Sequence, residues 1–179
     1  MSWTAPMTAV SGAVLTAAQW NTGVRDNLLE TAAAKATQSG QLFVSGGPNQ
    51  VVARTPVQAS VQATESTISS TFTDLDTIGP QVTADTGTSA IVFLTSILAQ
   101  GPGNYATATY DVSGATTVTA VTSNALNFRP GATNQQIRMT STDLCTGLTP
   151  GKNVFTMRYA SGGAGTAIFA YRTLTVIPL

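Results

Sequence analysis

Histidine is absent from the 179 residues. Without an imidazole the chain holds no Ser-His-Asp or Cys-His nucleophile, no histidine zinc site and no imidazole acid-base catalyst. A single cysteine, Cys145, precludes an intrachain disulfide framework; with no histidine to activate it, the thiol reads as a small buried hydrophobe. Charge is equally scarce, at 9% of residues and balancing to zero, against about 25% charged in an average soluble domain. The few Lys and Arg are scattered, so no electrostatic footprint for nucleic acid exists. So little charge gives little self-repulsion, which suits a surface covered by copies of itself or by a partner. No apolar run approaches the roughly 18 residues of a membrane span. Residues 1–6 lack the positive start of a signal peptide, and no Asn-x-Ser/Thr acceptor occurs, so synthesis in the cytoplasm without export is expected.

What is abundant is strand pattern. Val154, Thr156 and Arg158 alternate with Phe155, Met157 and Tyr159, which puts the two sets on opposite faces of a strand. After Ser161-Gly162-Gly163-Ala164-Gly165 a second β-branched and aromatic run places Phe169, Tyr171 and Ile177 on one face and Ile168, Leu174 and Val176 on the other. The two runs read as a long antiparallel hairpin entered through the Pro150-Gly151 turn. Strands are predicted over 67–75, 80–83, 90–100, 105–112, 125–128, 136–143, 153–160 and 167–177, separated by turn signals such as Gly79-Pro80 and Pro130-Gly131. Eight short strands without helical period between them predict a mainly β chain, an antiparallel jelly-roll-like β-sandwich, with an N-terminal extended arm and one short α-helix.

The helix is predicted over about 16–30. Thr16-Ala17-Ala18-Gln19 has the form of a capping box, and Leu15 and Trp20 stand where a hydrophobic staple would close. Trp20, Val24 and Leu28 recur at i, i+4 and i+8 as one apolar stripe, with Asn21, Arg25, Asp26 and Asn27 around it. Gly23 weakens the helix by about 1 kcal/mol relative to Ala. A helix this short is marginal alone, so its stripe, with Trp3 and Pro6 of the arm, needs a surface on this chain, a sister subunit or another protein. Residues 41–45 and 50–54 flank Gly46-Gly47-Pro48-Asn49 as a small hairpin. The division predicted is an arm over 1–56, a polar Thr/Ser-rich linker over 57–65 and a head over 66–179.

The chemistry left to such a chain is limited. Asp74 and Asp76, two apart on a predicted strand, would share a face and offer the carboxylates of a glycosidase or, with Asp85, oxygens for calcium; Asp at a strand-to-turn boundary equally serves local backbone hydrogen bonds. Gly101-Pro102-Gly103-Asn104-Tyr105-Ala106 matches a dinucleotide-binding pattern in letters, but a strand follows it where a helix is needed. Tyr105 and Tyr110, and likewise Tyr159 and Tyr171, if exposed, would stack on sugar rings, the feature a carbohydrate-binding adhesion module requires, but aromatics on strands are more often core or cross-strand pairs. No cofactor or metal is called for.

The segments 3–9, 15–21 and 24–31, together with Gly147-Leu148-Thr149-Pro150-Gly151, 155–159 and 172–179, resemble virion proteins of tailed phages of actinobacteria. The resemblance covers both ends and, through Asp74-Leu75 and Gly79-Pro80, the start of the β region. It implies a non-enzymatic particle component with a docking arm and a β-sandwich head, commonly a homotrimer. Such proteins occur in head and tail. The expected function is therefore capsid decoration, docking on the major capsid protein through Trp3, Pro6, Leu15, Trp20, Asn21, Val24, Arg25, Asp26, Asn27 and Leu28. The alternative is a small tail-tip or collar protein bound to tail proteins.

Overall fold

The computed structural model describes residues 4–5, 7–8, 10–101, 104–132, 135–163 and 165–179, with backbone alone for Ala32 and Ala33. The chain divides into two units, residues 1–55 and residues 56–179. No helix among the described residues is long and apolar enough to cross a membrane.

The first unit holds a helical run and a hairpin. Helix α1 (Ala17–Trp20) passes directly into a π-helical segment (Asn21–Asp26), and α2 (Ala32–Lys35) follows. Strands β1 (Leu42–Gly47) and β2 (Gln50–Arg54) pair antiparallel, as predicted, and Asn49 takes the left-handed backbone (φ 56°) that lets the turn close.

The second unit is a β-sandwich built from β3 (Val57–Val61), β4 (Glu65–Thr67), β5 (Gln81–Thr86), β6 (Ser89–Ala99), β7 (Tyr105–Gly114), β8 (Leu126–Phe128), β9 (Gln136–Thr146), β10 (Gly151–Gly162) and β11 (Ala167–Pro178). One sheet has the order β5-β10-β7-β8 and the other β3-β11-β6-β9, with β4 pairing beside β3 on the far half of β11. Every pairing is antiparallel. Leaving β4 aside and counting the other eight strands from β3, the two sheets interleave in the order of a jelly roll, with successive strands alternating between sheets except at β7-β8.

That order corrects three sequence expectations. The closing hairpin does not exist: β10 and β11 lie in opposite sheets, and the glycine-rich link between them crosses the sandwich. A jelly roll and a terminal hairpin are mutually exclusive, because the seventh and eighth strands of the roll never share a sheet. The stretch 57–65, expected as a linker, supplies β3, which pairs with β11 from Val57↔Val176 to Val61↔Arg172. The strand expected over 67–75 is instead loop after Thr67, tied to β10 by an isolated bridge at Thr73↔Tyr159.

The inward faces follow period 2. Val92, Leu94 and Leu98 of β6 and Phe155, Met157 and Tyr159 of β10 are fully buried and face one another across the sandwich. Each such side chain contributes about 1.5–3 kcal/mol on burial. On β11 the phase changes partway. Between Ala170 and Thr173 the strand carries one residue more than β6 opposite it, and Tyr171 adopts φ 48°. This bulge turns Phe169 inward, then Arg172, Leu174 and Val176 inward, and sends Tyr171 out, where an unbroken period would have kept Tyr171 with Phe169.

Candidate docking surface of the N-terminal unit

Local sequence fixes the start of the helical run. Gln19 N–H donates to Thr16 Oγ1 at 3.2 Å, and Thr16 N–H donates to Gln19 Oε1 at 2.9 Å, the reciprocal capping box. From Asn21 the helix loosens into i→i+5 hydrogen bonding, with Gly23 inside that stretch. Met7 lies against the glycine: a Cβ on residue 23 would lie 3.3 Å from Met7 Cε, so the arm packs its thioether onto the bare backbone.

Asn27 holds the arm from the other side. Its side chain is buried, its Oδ1 accepts from Thr4 N–H at 2.8 Å, and its Nδ2 donates to Thr4 O and to Gly23 O, both at 3.1 Å. An amide side chain with one acceptor and two donors thus mimics a strand partner for residue 4. Asn27 was expected to face a partner; it is used within the unit. Glu30 is the other buried polar residue among the unit's described residues, and Lys35 Nζ meets its Oε2 at 3.0 Å, which holds the carboxyl below its usual range.

The remaining expected docking residues stay open. Trp20 is 54% exposed, Leu15 and Leu28 are likewise exposed, and Val24 and Asn21 are half-buried. Arg25 and Asp26 pair with each other at 2.8 Å beside them. Trp3 and Pro6 lie outside the described residues. Sequence reasoning missed Met7, Val10 and Val14 of the arm, Leu29 after the helix, and Leu42 and Phe43 of β1, all exposed. Arm and helix frame a groove of about 420 Å³ lined by Met7, Thr8, Val10, Ala13, Val14, Leu15 and Gln19. Among the described residues of the unit, no apolar side chain is buried; Asn27 and Glu30 alone are. The missed residues carry a readable signal: large apolar side chains in a segment too irregular to bury them on one face.

The head brings none of the other candidate groups into an open site. Tyr110 is buried, as strand aromatics more often are, and so is no glycan contact: its hydroxyl donates to Asp143 Oδ2 at 2.5 Å, and Asn124 Nδ2 donates to the same oxygen at 3.0 Å. Burial first, then the hydrogen bond to Asp143, pushes the phenol far above its ordinary range. Tyr105 is 37% exposed, but Arg129 lies 5.1 Å over its ring and donates to its hydroxyl at 3.2 Å. Its side chain backs onto Gly162, where an added Cβ would come within 2.9 Å of the Tyr105 Cβ and 3.2 Å of its ring. Asp74, which was to share a strand face with Asp76, lies in the loop and pairs with Arg158, whose Nε also donates to Asp111 Oδ2 at 2.7 Å. Burial opposes the charged Arg158, but the two carboxylates outweigh it and raise its affinity for the proton. Cys145 is buried. No group of three or more Asp, Glu or Cys among the described residues is placed to hold a metal ion.

The molecule is thus a jelly-roll β-sandwich preceded by a small helical and hairpin unit with an uncovered apolar surface. No protein-family model matches the chain, and comparison with curated proteins returns no match.

Proposed function

We propose that this chain is an accessory structural protein of a phage particle, a capsid decoration subunit that docks on the major capsid protein through residues 1–55 and presents the jelly roll as a knob. The observation that carries this reading is the first unit's surface: Trp20, Leu15, Leu28, Val14 and Phe43 are exposed while no apolar side chain among its described residues is buried. Ordering a residue costs about 1–2 kcal/mol, and a segment without a core of its own recovers that cost by burying its surface on a partner. Trp20 is the natural anchor, as large aromatic side chains dominate such interfaces. The subunits self-associate, with three-fold grouping as the resemblance implies.

The test is deletion of residues 1–30 followed by assembly of particles. The expected result is a folded head that no longer incorporates; retained incorporation refutes docking through the arm. Trp20→Ala is expected to weaken docking by about 2 kcal/mol or more. A cryo-EM reconstruction of the intact particle locates the density: knobs over the shell lattice support decoration, and density confined to the tail moves the same arm-and-head protein to a tail-tip or collar role.

A further inference from the structure

The two outer faces of the sandwich differ in kind. The β5-β10-β7-β8 face carries Asp85, Lys152, Asp111 and Arg158, and its Thr107, Thr109 and Thr156 are buried. The β3-β11-β6-β9 face is open. Its β9 residues Thr140, Thr142 and Leu144 are exposed, and their partners on β6, Thr95, Phe93 and Ile91, are half-exposed. Thr173 and Thr175 of β11 continue the same rows. Its one formally charged residue is Arg138, near one end, whose guanidinium lies 5.8 Å from the ring of Tyr171.

We propose that this outer face is where a second copy of the chain packs. This names a two-fold contact of the free chain, distinct from the three-fold grouping in the reading above, and does not depend on docking through the arm. Three observations select a second copy over another partner. With a single cation and no carboxylate, the face has no complementary charge pattern to offer a charged partner, yet it meets its own copy without burying a field of like charge. Apart from Arg138 and the amides of Gln58 and Gln136, its polar groups are hydroxyls, each both donor and acceptor, so Thr can pair with Thr across a symmetric contact as it already does along the sheet, where Thr95 and Thr140 oxygens lie 2.9 Å apart and Ser60 and Thr173 oxygens 3.0 Å apart. The strands also give enough area: about 35 Å along β6 and about 15–20 Å across the sheet make about 600 Å² per copy, so a pair buries about 1,200 Å², the lower bound of a specific interface.

The experiment is the molar mass of the full chain by light scattering over a dilution series, alone and with Leu144→Lys. The expected result is a two-subunit assembly that falls to one subunit in the variant. Thr83→Lys, exposed on β5 of the opposite sheet, is expected to leave the assembly intact. Amide protection along β6 reports folding, and Thr142→Lys carries the test if Leu144→Lys does not fold. A monomeric parent chain overturns the proposal, and so does an assembly that survives both lysine variants, since association then runs through another surface. A monomer whose face variants lose particle incorporation overturns it too, because the face then seats a different protein. Arm deletion that abolishes incorporation while the assembly persists separates this contact from docking.

Discussion

Arg172 has no exposed surface, and a guanidinium in a sandwich core is stable only if its charge is met. Its Nη2 donates to Glu65 Oε2 at 2.8 Å, and its guanidinium lies 5.3 Å from the centre of the Tyr159 ring. The phase change at Tyr171 is what carries it inward. Glu65→Gln is therefore expected to destabilise the head by about 3–5 kcal/mol, read as a lower urea midpoint at unchanged slope, because it leaves the cation buried without its anion. Burial alone would raise the Glu65 carboxyl, but hydrogen bonds from Thr77 and the charge of Arg172 more than offset this and hold it below the ordinary carboxylate range. A depressed folded-state pKa contributes stability above the unfolded value near 4.5 that is lost as pH falls through the folded one. The parent head should lose stability on acidification below about pH 4.5, and the Gln variant should show a shallower loss over that range. None of this was legible in sequence, where an Arg between Tyr171 and Thr173 of a strand reads as a solvent-facing position. The burial of Tyr110 agrees with the general tendency of strand aromatics, although period 2 assigns faces in pairs and does not say which is the inner one.

At the scale of elements, what was readable was local. The capping box needs only Thr16 and Gln19, three residues apart, and both of its hydrogen bonds form. Thr16→Ala is expected to cost the helical run about 1 kcal/mol, seen as loss of amide protection at residues 19–21 with the head unchanged. Asn27→Ala should release the arm: Thr4 loses its partner on both N–H and C=O, and proteolysis within residues 4–14 should accelerate while cleavage in the head does not. The π-helical interior was not legible, because the i, i+4, i+8 stripe presupposes an α-helix and Met7, far along the chain, is what lies against Gly23. The strands from β5 onward were readable from turn chemistry and alternation. Pairing was not. The Ser161–Gly165 break looks the same whether the chain folds back within a sheet or crosses to the other one, and β3 was hidden because its Thr/Ser-rich neighbourhood resembles a linker. The head has nine strands against the eight expected; with β4 set aside, the eight of the jelly roll match in number only because β3 replaces the strand expected over 67–75.

For the whole molecule, the question is where the folding free energy resides. The head holds the entire set of buried apolar side chains among the described residues, from Leu75 to Val176, whereas residues 1–55 bury none. The denaturant slope scales with surface exposed on unfolding, so the first unit should add little to it. A fragment of residues 56–179 is expected to unfold in one transition with nearly the slope and midpoint of the full chain. A fragment of residues 1–55 should show little amide protection in isolation, because hydrogen bonds without a packed core open readily in water. A full-chain slope well above that of the head fragment would mean the first unit already buries its own core, leaving no deficit for a partner to fill. Matching slopes would instead mean that the arm, helix and hairpin bury little surface in the free subunit, so that whatever stability they gain comes from the surface on which they dock.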